Sequence, residues 1–231
     1  MARLSIIMPV LNEGEAIAAT LDALAEVRAL GTEVIVVDGG SRDATIQRSR
    51  LRADRVIPAP PGRAAQMNAG AEKASGDVLL FLHADTRLPH AAEHLVLDGL
   101  ERSGLAWGRF DIAIEGRSPL LIVVACLINI RSRLSGIATG DQAMFVRRDA
   151  FQKAGGFPLI ALMEDVALSQ RLKRISRPLC LRERAVTSGR RWDEHGVLKT
   201  IILMWRLRLA YFLGSDPAAL AKRYGYGNGR G

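Results

Sequence analysis

Leu4-Ser5-Ile6-Ile7-Met8-Pro9-Val10-Leu11-Asn12-Glu13-Gly14 is the stretch whose reading decides the fold. An apolar run that stops at a proline has a strand's length, and its lack of polar alternation predicts burial on both faces. The run Leu4 to Pro9 is followed closely by two polar residues, Asn12 and Glu13. The arrangement returns downstream. Glu33 to Val37 reads as a second buried strand ending at Asp38-Gly39-Gly40-Ser41, Arg55 to Ile57 as a short third, and Val78 to Leu82 as a fourth ending at His83-Ala84-Asp85. Between them Ile17, Leu21, Leu24, Val27 and Leu30 recur at spacings of three and four, which predicts an amphipathic helix over 15–30. Asp43 opens a second helix, and 62–74 reads as a third. Four buried strands alternating with helices predict an α/β fold with a mostly parallel, doubly wound sheet. Ligands of such sheets bind beyond the carboxyl ends of the strands. Asn12 and Glu13, Asp38 to Ser41, and His83 to Asp85 are therefore the first functional candidates.

The second half is less regular. Trp107 to Ile114 alternates like a strand, Pro119 to Leu134 reads as an apolar helix, and Ala143 to Val146 as a strand. Val166 to Ile175 reads as a helix, and Pro178 to Val186 as a strand leading into a basic loop. No repeat or linker interrupts the chain, so 1–231 is expected to be one domain. Within it we expect a first half (1–115), a second half (116–195) and a helical C-terminal segment (196–231).

Composition bounds the possibilities. At 231 residues, 48% hydrophobic and 24% charged, the chain is ordinary globular protein. Its net charge of +8 is spread along the sequence, and no basic run is interleaved with stacking aromatics, so nucleic acid is not the expected partner. Cys126 and Cys180 lie among apolar neighbours and are expected to be buried free thiols of a reducing compartment. The apolar run 119–128 is about half the ~20 residues a spanning helix needs. The longer 197–213 is broken by Lys199, Arg206 and Arg208. A cytoplasmic location is expected, with peripheral contact at the inner face of the membrane through 197–213, where the cations can snorkel beside Trp205, Tyr211 and Phe212. A homodimer is a further expected association.

Acids at successive strand ends raise the question of what binds there. Asp38 stands where a dinucleotide fold places its ribose-binding acid, but the glycine-rich turn required after the first strand is missing. Hydride transfer is therefore not the expected chemistry. A carboxylate such as Asp85 at the mouth of a nucleotide pocket repels a diphosphate unless Mg²⁺ or Mn²⁺ lies between them. It can equally cap the helix that follows. Glu164-Asp165 at the head of a helix can complement its dipole, or one of them can act as a general base. Arg63, Arg190 and Arg191 supply positive charge for a leaving diphosphate.

Together Pro9-Val10-Leu11-Asn12-Glu13, Asp38-Gly39-Gly40-Ser41 with Asp43, Gly76-Asp77 before His83-Ala84-Asp85, Gly155-Gly156-Phe157, Glu164-Asp165 and Arg190-Arg191-Trp192 resemble, in order and spacing, the family 2 glycosyltransferases. The resemblance runs from about residue 4 to residue 192. It implies a glycosyltransferase A-type fold, Rossmann-like, and an inverting transfer of sugar from a nucleoside-diphosphate sugar, with UDP the expected nucleotide, to an acceptor hydroxyl. By that resemblance Pro9, Leu11, Asn12, Glu13, Asp38, Gly39 and Ser41 line the nucleotide pocket, with Asp38 on the base. Arg63 and Asn68 approach base, ribose or phosphates, and His83, Ala84, Glu164, Arg191 and Trp192 complete the donor site. Asp85 holds the metal, Mn²⁺ or Mg²⁺, and Asp165 takes the acceptor proton. The sequence departs from the family at His83, where the metal motif usually has an acid; His83 is then a ligand, a donor to ribose or phosphate, or a packed strand residue. His195 is a second candidate ligand. A sugar nucleotidyltransferase would need a glycine- and basic-rich turn where Asn12-Glu13-Gly14 stands, and a non-catalytic binding module would have no use for both Asp85 and Asp165.

Overall fold

Strand β1 (Leu4–Val10) is buried along its whole length, and its alternation divides the core in two. The computed structural model describes residues 3–225. Leu4, Ile6, Met8 and Val10 enter one apolar cluster and Ile7 the other, as a two-residue period requires. The chain continues through α1 (Ile17–Asp22), α2 (Ala25–Ala29), β2 (Glu33–Asp38), α3 (Thr45–Arg50), β3 (Arg55–Pro58), α4 (Arg63–Lys73), β4 (Val78–Phe81), β5 (Thr86–Arg87) and α5 (Ala92–Ser103). There follow β6 (Trp107–Glu115), α6 (Leu120–Ser135), a 3₁₀ turn at Gly140–Gln142, β7 (Phe145–Arg147), α7 (Arg148–Lys153) and α8 (Glu164–Leu172). Last come β8 (Leu179–Ser188), α9 (Arg190–His195), α10 (Val197–Phe212) and α11 (Pro217–Tyr224).

The strands form one sheet in the order β3-β2-β1-β4-β7-β6-β8-β5. β3, β2, β1 and β4 run parallel, as expected for the first half. Beyond them β7 is antiparallel to both β4 and β6, β8 is parallel to β6, and β5 closes the edge antiparallel to β8. Val34 and Val36 join the β1 even-numbered face, which α1, α2 and α5 cover through Ile17, Leu21, Val27, Val96 and Leu100. Ile35, Val37, Leu79 and Phe81 face the opposite layer, built by α4, α7 and α8. Pro9 sits past the last β1–β4 pair, Ile7–Phe81, so its missing N–H costs no ladder bond. Gly70 lets α4 press on the sheet, because any Cβ there would collide with the Ile7 and Val37 side chains. That close approach aims the start of α4 at the ends of β1 and β4.

Several expectations are corrected. The helix over 15–30 is two helices, because the Leu24 N–H bonds to Leu21 O (3.0 Å), three residues back, and the tighter turn separates them. β3 is a half-exposed edge strand rather than a buried one. The basic loop after β8 is the short helix α9. Cys126 is exposed and Cys180 half-buried, because the apolar run carrying Cys126 is a helix with only one face in the core. The C-terminal segment contains α10 and α11, and residues 226–231 lie outside the described residues. Among the described residues no helix is long and apolar enough to cross a membrane. The outer faces of α6 and α10 nevertheless expose Ile122, Val123, Leu127, Leu198, Ile202 and Trp205.

Candidate active site

The ends of β1 and β2 are tied into a stiff rim. Asn12, in the left-handed region at φ 55°, donates its N–H to Ser41 Oγ (2.9 Å) and accepts the Arg42 N–H at Oδ1 (2.9 Å). The Glu13 N–H reaches Thr45 Oγ1 and the Gly14 N–H reaches Asp43 Oδ2, both at 2.9 Å. The hydrogen bond from Thr45 Oγ1 and the N–H groups of Thr45 and Gly14 hold the Asp43 carboxyl below the usual carboxylate range, against a smaller desolvation effect. Gln66 of α4 donates to Val10 O and Val37 O, both at 2.8 Å, bridging the two strand ends from below.

Inside this rim lies a cavity of about 570 Å³, a volume suited to a nucleotide-sized ligand. The ends of the adjacent strands β1 and β4 line it, through Pro9, Leu11 and Glu13 and through His83, Ala84 and Asp85. The start of α4, Gly62 to Gln66, forms another wall, and residues 159–161 with Ala221 complete the lining. No side chain caps α4, so its first N–H groups and the Arg63 guanidinium make this wall the cationic one. Burial pushes the Glu13 carboxyl up, and the charge of Asp85 adds to it, while Arg190 and Arg63 pull it down. Two carboxylates thus confront each other at one end of the cavity.

His83 separates this cavity from a second one of about 10 Å³, roughly enough for one water, lined by His83, Gly140, Glu164 and Asp165. His83 Nδ1 is 3.3 Å from Asp141 Oδ1. Gly140 has to be glycine, because a Cβ would collide with the His83 imidazole. Its N–H donates to Asp165 Oδ2 (2.8 Å), and the Val166 N–H donates to Oδ1 (2.7 Å). Burial and the neighbouring Asp165 charge push Glu164 up to about 7, against the opposing charges of Arg63 and His83. Desolvation would raise Asp141, but the His83 hydrogen bond and the charges of His83, Arg63 and Arg208 outweigh it and hold that carboxyl low. Met163, just before the two acids, is left-handed at φ 69°, a strained conformation for a residue with a side chain.

Residues 5–153 match the model of Glycosyl transferase family 2. The chain belongs to that family. Its curated relatives include a PGL/p-HBAD biosynthesis glycosyltransferase of Mycobacterium tuberculosis, 37% identical over 94 residues, covering 38% of this chain and 37% of that protein. Glucosyl-3-phosphoglycerate synthase of the same organism is 31% identical over 97 residues, covering 38% and 30%. The matched region spans about a third of the length of these relatives. Among solved structures, Staphylococcus aureus TarS 1–349 in complex with UDP-GlcNAc superposes with a TM-score of 0.66 at 17% identity, covering 80% of this chain and 58% of that one. Mannosyltransferase PcManGT from Pyrobaculum calidifontis, in complex with GDP-Man and Mn²⁺, gives 0.65 at 18%, covering 97% and 69%. The fold is the glycosyltransferase A type.

This family 2 chain assembles its expected site residues unevenly. Pro9, Leu11, Glu13, Arg63, His83, Ala84 and Asp85 line the large cavity, and Glu164 and Asp165 meet His83 in the small one. Asn12, Asp38, Gly39 and Ser41 do not line it; they build its rim. The Asp38 carboxylate is turned to the N–H groups of Gly40 (2.9 Å) and Ser41 (3.0 Å), so its lone pairs serve its own turn. Asn68 is corrected to a clamp: both ends of its amide bind the Phe157 backbone, at 2.8 and 2.9 Å. Arg191 stacks 3.6 Å over the Tyr224 ring and donates to Tyr224 O. Trp192 packs in the cluster of Ile112, Ile114 and Leu121, because α9 lies on that apolar face. His195 is exposed with Nδ1 3.2 Å from Arg191 O, and among the described residues no group of three or more His, Cys, Asp or Glu is arranged to hold a metal. Sequence reasoning missed Gln66, the Gly140-Asp141 turn, and Arg131 with Arg208. For the turn a signal existed: Thr139-x-x-Gln142 has capping-box spacing, and Gln142 Oε1 accepts the Thr139 N–H at 3.1 Å.

Proposed function

We propose that the chain, acting as one domain, is an inverting glycosyltransferase that moves a sugar from a nucleoside-diphosphate sugar, with UDP the favoured nucleotide, to an acceptor hydroxyl. The observation that carries this reading is a nucleotide-sized cavity, cationic along α4 and acidic at Glu13 and Asp85, whose His83 wall also borders Asp165. Inversion requires a base on the face of the sugar opposite the leaving group. Asp165 takes the acceptor proton there, its carboxylate oriented by the Gly140 and Val166 N–H groups. Glu164, its carboxyl pushed up to about 7 by burial and the Asp165 charge, carries less negative charge beside Asp165 than an ordinary carboxylate would. Arg63 and the α4 N-terminus stabilise the departing diphosphate.

The donor set suits a hard divalent cation. Mg²⁺ or Mn²⁺ needs only one or two carboxylates when phosphate oxygens fill the remaining positions, and Asp85 with Glu13 would supply them. Bound there, the ion would neutralise charge on the diphosphate. The complexes of TarS with UDP-GlcNAc and PcManGT with GDP-Man and Mn²⁺ support this reading. The outward apolar residues of α6 and α10 support a cytoplasmic enzyme seated on the membrane surface. Flotation with anionic vesicles tests that; protein remaining at the bottom at low salt overturns it.

The decisive experiment is a donor screen with Mn²⁺ and UDP-, GDP- and dTDP-sugars. Slow, sugar-dependent release of nucleoside diphosphate, strongest with UDP, is expected. Pyrophosphate release from a nucleoside triphosphate and a sugar phosphate would instead make the protein a nucleotidyltransferase.

A further inference from the structure

Two arginines beside Asp165 have no part in the chemistry above. Arg131 comes from α6 and Arg208 from α10. α10 and α11 pack against the start of α8 through Leu207, Leu220, Met163 and Val166, which brings Arg208 to the end of α8 that carries Asp165. Burial lowers both guanidinium groups from their ordinary value, Arg131 to about 10 with the Arg208 charge adding to the effect, while Asp165 stabilises both. Nε and one terminal nitrogen of Arg131, and Nε of Arg208, are buried without a hydrogen-bond partner among the described residues. Desolvated donors and adjacent like charges are unfavourable unless an anion joins them. The local carboxylates act on Arg208 by charge but direct their hydrogen bonds elsewhere: Asp165 accepts from Gly140 and Val166, and Asp141 faces His83.

From this arrangement we infer that Arg131 and Arg208 form the anion subsite of the acceptor, which carries a phosphomonoester near its reacting hydroxyl. The inference rests on the transferase reading. The donor diphosphate is not the anion in question, because Arg63 lines the large cavity assigned to the donor, whereas neither Arg131 nor Arg208 is among its lining residues. Two guanidinium forks match the nearly two charges and three acceptor oxygens of a phosphomonoester. Such a group, held beside Asp165, would bring the acceptor hydroxyl to its base.

The phosphate can belong to a soluble hydroxy-phosphate or to a lipid headgroup, and the test separates them. Calorimetry on the full chain would measure UDP with Mn²⁺ first, then glycerol 3-phosphate, glycerol, and phosphatidylcholine vesicles with and without phosphatidic acid. Binding is expected for one phosphate source and not for glycerol or plain vesicles. Arg131→Gln and Arg208→Gln should each weaken it roughly 10- to 100-fold, the loss of one charged hydrogen-bonding group. Arg131→Lys and Arg208→Lys should retain part of it, and UDP affinity should be unchanged in all four, which also shows that they are folded. Binding of neither phosphate source, or equal binding by the glutamine variants, overturns the subsite while leaving the transferase reading intact. Failure of the unaltered protein to bind UDP, GDP or dTDP overturns the reading itself.

Discussion

The two ends of the site are built on opposite principles. At the donor end, polar groups find partners within a few residues of the strand ends: Asp38 with Gly40 and Ser41, Asn12 with Ser41 and Arg42, Asp43 with Gly14 and Thr45. The rim is satisfied before any ligand arrives, so the cavity's shape is preorganised, and the like charges inside it are confined to Glu13 and Asp85. At the acceptor end the polar groups come from α6, α8, α10 and the Gly140 turn, and several are buried without partners or lie beside like charges. A satisfied network fixes a shape, whereas an unsatisfied one stores unfavourable electrostatics that a substrate can relieve. Recognition of a common nucleotide suits the first, and chemistry on a particular acceptor suits the second.

Asp165→Asn would break the comparison most sharply. It removes the base, and an amide can accept only one of the two N–H bonds from Gly140 and Val166. Turnover should fall by roughly 10²- to 10⁴-fold, the usual worth of a positioned general base. UDP affinity should stay as it was, because Asp165 is not among the residues lining the large cavity. Steady-state kinetics alongside calorimetry would check both halves. Weakened UDP binding with turnover retained would mean that the two ends are not separate in function.

The same division explains what could be read from the sequence. The parallel half of the sheet was legible because buried strands declare themselves locally, through continuous apolar runs such as Val34 to Val37 followed by polar residues. Pro9, Glu13, His83 and Asp85 were legible with them, since strand ends in a parallel sheet converge on one edge. Asn68, Arg191 and Trp192 were misplaced because their partners, Phe157, Tyr224 and the Ile112 cluster, lie on other elements and leave no trace in the local pattern. Arg131 and Arg208 were hidden for the same reason: 77 positions apart (208 − 131), on α6 and α10, they act on each other and on Asp165 only in the folded chain.

Stability against pH offers a finer probe, because each end holds one raised and one lowered carboxyl, and Asp43 of the donor rim and Glu164 beside Asp165 depend on protons with opposite sign. Asp43 at the donor rim has its carboxyl lowered, so the folded protein binds fewer protons there, and the stability it contributes is lost on acidification through its folded value. Glu164 is raised from 4.5 to about 7, so between those values the folded state holds a proton that the unfolded state has released. The sign is therefore reversed: its contribution is fully present below about 4.5 and is lost as pH rises toward 7. Over that window the cost reaches up to about 3 kcal/mol, from 1.36 kcal/mol per unit. Glu164→Gln fixes the neutral form, and its stability relative to the unaltered protein should improve as pH rises from 5 to about 7.5 by roughly 1–3 kcal/mol, read from urea midpoints at matched pH. Parallel curves for the two proteins would mean that Glu164 is ionised in the fold, and that Asp165 works beside a second negative charge.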